Sequence, residues 1–150
     1  MNKIAPSHTL SCAALAAALL LASSAASADA ADDARAHFQA IASGDVPALM
    51  QSYANGAQFQ WVGGMLDGVY ATPESIRGVW AKFAAAQGPL KLSVEGLEAS
   101  SNPKGSTVVA RVMFEGKAAI KVRYALTYRD GKIVTEVWQL DPQLDVKSAY

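Results

Sequence analysis

The sequence predicts an α+β fold: a curved antiparallel sheet with three helices packed on its concave face. Three observations carry that reading. Residues 118–129 switch character at every step, with Ile120, Val122, Tyr124, Leu126 and Tyr128 apolar and Lys121, Arg123, Thr127 and Arg129 polar between them, the period of a strand with one face buried. Asp130-Gly131 then separates this run from a second β-rich run at residues 133–140, and Asp-Gly suits a type I′ hairpin because both central residues need positive φ. Three stripes of helical spacing also precede the long β-rich runs, and one sheet face is the large apolar surface on which they can be buried.

The elements follow in chain order. Ala34, His37, Phe38 and Ile41 fall at i, i+3, i+4 and i+7, one stripe of a first helix that Gly44 ends. Asp45 caps a short second helix with Pro47 in its first turn and Val46, Leu49, Met50 and Tyr53 on its apolar side. Asn55-Gly56 reads as a turn, residues 57–62 as a short strand broken by Gly63-Gly64, and residues 66–70 as a weak strand or loop. Thr72-Pro73-Glu74 starts a third helix with stripe Ile76, Val79, Trp80 and Phe83, and Gly88-Pro89 stops it. Residues 90–99, 107–115, 118–129 and 133–140 make four strands of a meander, with residues 100–106 a polar turn between the first two.

The front of the chain reads as an address. Lys3 supplies positive charge, residues 10–22 form an unbroken small and apolar run, and Ala26-Ser27-Ala28 and Ala28-Asp29-Ala30 offer small-residue cleavage patterns. This is the pattern of a secretory signal peptide, residues 1–28, cut after Ala28 or Ala30. The run is shorter than the roughly 20 apolar residues a spanning helix needs, so no membrane attachment is expected after cleavage. Cys12 lies inside the run rather than after it, which argues against lipoprotein processing. The expected product is periplasmic or secreted, one domain at residues 31–142 with a tail at 143–150.

Composition excludes several classes. The 13 basic and 13 acidic residues cancel, with no basic block, so nucleic acid is not an expected partner. The chain's single cysteine leaves with the signal, which removes disulfides and thiol chemistry. His8 leaves too, so His37 is the one mature histidine and no multi-histidine metal site can form. No glycine-rich phosphate loop is present. No metal and no cofactor are expected.

The order helix, helix, short strand pair, helix, four long strands resembles the NTF2-like superfamily and, within it, the SnoaL-like group. The matching pieces are Ala40-Ile41-Ala42-Ser43-Gly44-Asp45, Tyr53-Ala54-Asn55-Gly56-Ala57, Gly68 with the helix at 76–83, and Asp130-Gly131-Lys132-Ile133 with Trp138 and Asp141. The resemblance implies a cone with a pocket between sheet and helices, and a homodimer through the outer sheet face, where Arg111, Met113 and Glu115 would lie. The family holds isomerases, cyclases, dehydratases, epoxide hydrolases and plain binding domains, so fold does not fix function. Against its steroid isomerase branch, the oxyanion-donating tyrosine falls at His37, the proton-shuttling aspartate at Trp61, a pocket tyrosine at Trp80 and the second oxyanion acid near Tyr124. Trp61 cannot take up a proton, so that mechanism lacks its base.

Glu136 is the acid of greatest interest, mid-strand between Val134 and Trp138. A strict two-residue hairpin loop pairs Ala125 with Glu136 and turns the carboxylate away from Tyr124. The resemblance instead puts Glu136, Trp138 and Tyr124 together in the pocket, which requires a β-bulge after Ile133, the favoured arrangement. The candidate catalytic set is Glu136 as general acid/base with His37 and Tyr124 as donors, although a lone histidine on an apolar stripe also reads as a packed core residue. Trp61, Trp80 and Trp138, with Leu126 and Val112, are the candidate ligand-binding set, or in part core filling. Asp67 lies in a glycine-flanked loop and either rims the mouth or shapes a turn. The leading expectation is an exported domain binding a small, largely apolar molecule. The alternatives are a SnoaL-like lyase, isomerase or hydrolase using Glu136, and an accessory module whose pocket side chains fill.

Overall fold

The computed structural model describes residues 12–148, with side chains from residue 25 onward. The elements run α1 (Cys12–Ser43), α2 (Val46–Ser52), β1 (Tyr53–Val62), β2 (Gly68–Tyr70), α3 (Pro73–Gln87), β3 (Lys91–Asn102), β4 (Gly105–Glu115), β5 (Ala119–Arg129) and β6 (Lys132–Leu140). The first part of the expected signal peptide, residues 1–11, and the tail end at 149–150 lie outside the described residues. From Cys12 on, the backbone of the expected leader is one continuous helix with the domain's first helix.

Six strands form one sheet in the order β2-β1-β6-β5-β4-β3. The meander β3 to β6 is antiparallel throughout, as expected. The sheet as a whole is mixed, because β1 pairs with β6 in parallel, Trp61 opposite Trp138. The expected antiparallel character holds for the meander, and the parallel β1–β6 pair adds to it: a period-two pattern marks a buried face but carries no information on a partner's direction.

The helical stripes are where spacing put them. Ala34, His37, Phe38 and Ile41 of α1 and Ile76, Val79, Trp80 and Phe83 of α3 are all buried. α1 packs across β3 and β4, α3 across β1 and β2. Asp45 caps α2 by accepting from Ala48 N at 3.0 Å, and Thr72 with Ser75 forms a capping box at the start of α3. Tyr53 departs from expectation: it opens β1 instead of closing the α2 stripe. Asn55-Gly56 is likewise not a turn but lies within β1, where the register against β6 slips between Tyr53 and Gln58. The residues taken as a polar turn are mostly paired strand, Ser101 opposite Ser106 and Asn102 opposite Gly105.

On the outer face the tail forms a strap. Met113, opposite in direction to the core residues Val112 and Phe114, is buried beneath Leu144 and Val146. Lys121 Nζ donates to the Leu144 carbonyl at 2.8 Å, and Ser148 Oγ donates to Glu115 Oε2 at 2.6 Å. Arg111 pairs with Glu95 at 3.5 Å. Part of the face expected to join two copies is thus already covered by the chain itself.

At the β3–β4 hairpin Gly105 has φ +152°, and a Cβ there would collide with the Tyr128 carbonyl oxygen. Backbone cannot yield as a flexible side chain can. Gly105→Ala is expected to lower stability by about 2 kcal/mol or more, read as a reduced urea midpoint at unchanged slope.

Candidate functional site

The β5–β6 hairpin decides where the acid points. Asp130 and Gly131 hold φ 49° and 70° at its tip. Pairing runs Arg129 to Lys132 and Tyr128 to Ile133, then resumes with Thr127 opposite Thr135, leaving Val134 as the extra residue of a bulge. Glu136 consequently sits opposite Leu126 and Trp138 opposite Tyr124. The bulged register, and not the strict two-residue one, turns Glu136 inward, where it is 0 % exposed.

Its carboxylate is held by side chains from three other elements. Tyr124 OH of β5 and His37 Nε2 of α1, the latter at 2.9 Å, share Oε1, while Tyr53 OH at the start of β1 donates to Oε2. Trp80 Nε1 of α3 donates to Tyr53 OH at 2.8 Å. On the far side of the imidazole, His37 Nδ1 lies 3.2 Å from Ser52 Oγ, whose own hydrogen goes to the Leu49 carbonyl at 2.6 Å. Ser52 therefore accepts, and Nδ1 carries a hydrogen. His37 Nε2 and Glu136 Oε1, 2.9 Å apart, lie within the distance that direct proton transfer requires.

Burial raises Tyr53 and Tyr124 well above the ordinary tyrosine value, and the Glu136 charge adds to it. Tyr128, also buried near that charge, is raised too. All three phenols are neutral at physiological pH, and Tyr53 and Tyr124 donate to Glu136.

Aromatic rings fill the space above the carboxylate. Trp138 stacks on Trp61 at 4.4 Å and on Phe114 at 5.2 Å, and Phe59 stacks on Trp80 at 5.1 Å. Trp80, Trp138, Val112 and Leu126 are at most 1 % exposed and belong to the packed core. Beside them lies a cavity of about 600 Å³. Its apolar wall comes from Trp61 of β1, Leu66 of the β1–β2 loop, Phe83 and Ala86 of α3, Ile120 of β5 and Leu140 of β6.

Of the residues expected to bind ligand, Trp61 lines this cavity; Trp80, Trp138, Leu126 and Val112 do not. Nor do Glu136, His37 and Tyr124. Glu136, Trp138 and Leu140 follow one another on the inner face of β6, so the backbones of Glu136 and Leu140 are roughly 13 Å apart along the strand, with Trp138 between them. Asp67 shapes the mouth loop, its Oδ1 accepting from Gly63 N at 2.7 Å. Among the described residues, no group of three or more histidine, cysteine or acidic side chains is placed to hold a metal ion.

Sequence reasoning missed Tyr53 as a ligand of Glu136 and the wall residues Leu66, Phe83, Ile120 and Leu140. Tyr53 carried a signal, since it begins one of the segments matched by the family resemblance. The wall residues read as ordinary core, and nothing in their spacing distinguishes a cavity from a filled interior.

Two expectations follow. Glu136→Leu leaves three buried donors without an acceptor and is expected to cost about 3–5 kcal/mol, whereas Tyr124→Phe, which removes one donor, costs about 1–2 kcal/mol; urea titration of both variants measures the difference. The raised phenols leave stability independent of their ionisation below pH about 10. Above it the unfolded chain releases tyrosine protons that the folded chain keeps, so stability falls as pH rises. Tyr53, Tyr124 and Tyr128 are expected to ionise together with loss of the near-ultraviolet circular dichroism, and tyrosinate absorbance followed alongside that signal checks it.

The comparisons agree with this architecture. A family model described as SnoaL-like domain matches residues 34–136. No curated protein matches the chain. Among solved structures, an NTF2-like protein of unknown function from Pseudomonas putida KT2440 is similar with a TM-score of 0.70 at 15 % identity, over 85 % of this chain and 96 % of that one. An NTF2-like family protein of Streptomyces avermitilis, proposed to be a dehydratase, is similar with a TM-score of 0.67 at 13 % identity, over 77 % and 95 %. A de novo designed protein with a curved β-sheet is similar with a TM-score of 0.58 at 13 % identity, over 75 % and 84 %. At such identities these likenesses establish the fold alone. With the family match spanning helix α1 to the buried acid, the chain belongs to the SnoaL-like family of NTF2-like domains.

Proposed function

We propose that the protein is an exported domain that binds a small, largely apolar molecule in the cavity lined by Trp61 and Phe83. The cavity itself carries this reading: about 600 Å³, walled by two aromatic and several aliphatic side chains, within the size range of small-molecule sites. Export rests on the leader pattern of the first 28 residues. Ala30 is 4 % exposed and packs in the core, which favours a cut after Ala28 over one after Ala30. Pairing of two copies through the outer face left open by the tail, around the exposed Val109, belongs to the same proposal.

A second reading, a SnoaL-like enzyme with Glu136 as general acid/base, is favoured by one observation: His37, Tyr124 and Tyr53 converge on that carboxylate. Neither Glu136 nor its three partners lines the cavity, and proton transfer needs about 3 Å or one bridging water. Binding without turnover therefore fits the geometry better.

Decan-1-ol, a neutral apolar probe, is expected to quench or shift tryptophan fluorescence through Trp61 and to saturate. Ala86→Trp, which fills the cavity from α3, is expected to weaken that binding at least tenfold while leaving the far-ultraviolet circular dichroism unchanged. An unaltered titration of the Ala86→Trp variant would place the probe elsewhere.

A further inference from the structure

The mouth of the cavity carries the most exposed large apolar side chain among the described residues. Met65, in the loop between β1 and β2, is fully exposed, yet it and its neighbours Gly64 and Leu66 all line the cavity. A methionine held out in water presents apolar surface that burial would stabilise. The apolar hollow beside it is a place where that burial can occur once the hollow is filled.

The loop is pinned at its base and exposed at its tip. Asp67 Oδ1 accepts from Gly63 N at 2.7 Å, which draws the two ends together, and Tyr70 OH donates to the Leu66 carbonyl at 2.7 Å. Gly63 and Gly64 hold φ 96° and 75°, a region that side chains disfavour, and a Cβ at Gly64 would lie 2.9 Å from Leu140 Cδ1 in the cavity wall. These contacts seat the loop backbone against the wall. The side chain of Met65 remains outside them, unbranched and with three rotatable bonds, the kind that adapts to an irregular neighbour.

We infer that Met65 is the closing residue of the cavity: when an apolar molecule is bound, the Met65 side chain folds over it while the glycine-set backbone of the loop stays in place. The inference rests on the apolar-cavity reading above and adds a ligand contact to it. It gives Met65 a role in retention, since a side chain that covers the molecule after entry slows its escape more than its arrival.

Oxidation of the full chain by hydrogen peroxide, followed by peptide mass spectrometry, reports the exposure of each methionine sulfur. With decan-1-ol at a concentration that saturates the tryptophan signal, Met65 is expected to oxidise at least about threefold more slowly, since susceptibility follows exposure. Met113, buried beneath the tail, is the internal control and keeps its rate. An unchanged Met65 rate at saturation overturns the closure and leaves the cavity reading standing. Met65→Gln, which keeps the length of the side chain and makes it polar, is expected to speed dissociation of decan-1-ol about fivefold, the effect of losing part of a methionine's apolar contact, with association little changed. A dissociation rate equal to that of the wild-type protein overturns the retention role. Protection of Met65 that rises with protein concentration in the absence of decan-1-ol assigns the side chain to contact between copies and also overturns the inference. A tryptophan signal that decan-1-ol does not move at any concentration overturns this inference and the cavity reading together.

Discussion

A carboxylate at zero exposure is tolerable only if its surroundings replace the water it has lost, and in this protein that replacement joins four elements. Glu136 comes from β6, Tyr124 from β5, His37 from α1 and Tyr53 from the start of β1. An uncompensated buried charge costs several kcal/mol, so each of these elements is constrained to the position from which its donor reaches the acid. Trp80, through Tyr53, brings α3 into the same network. The polar cluster thus acts as a locating pin inside an otherwise non-directional apolar core, and it specifies geometry that hydrophobic burial alone leaves loose.

The pin also sets the division of labour along the cone. Rings stack around Trp138, while Leu140, two residues further along the same strand, lines the cavity. The polar cluster and the cavity thereby draw on different side chains.

Much of this was legible in the sequence, for reasons that differ by element. The α1 and α3 stripes and the β5 alternation are local periodicities, which is why Phe38, Trp80 and Tyr124 could be placed inside from spacing alone. The Asp130-Gly131 turn is a local backbone demand. The parallel pairing of β1 with β6 joins residues far apart in the chain and leaves no periodic mark, so the mixed sheet was not legible. Glu136 and His37 were identified as candidates, but their contact spans 99 positions and needed the fold. The position of the cavity was least legible of all, because a void is a property of how Trp61, Phe83 and Leu140 fail to meet, and each alone looks like core.

The bulge at Val134 ties the identity of the interior to chain length. Side chains alternate between the two sides of a strand, so removing one residue between the turn and Glu136 would reverse the whole of β6 without altering any other residue in it. The acid and Trp138 would face water, and Val137 and Thr135 would take their places. In a comparison of relatives, a single-residue gap at this hairpin is therefore a more severe change than most substitutions within the strand, and an alignment that slides the gap by one position would credit the wrong proteins with a buried acid.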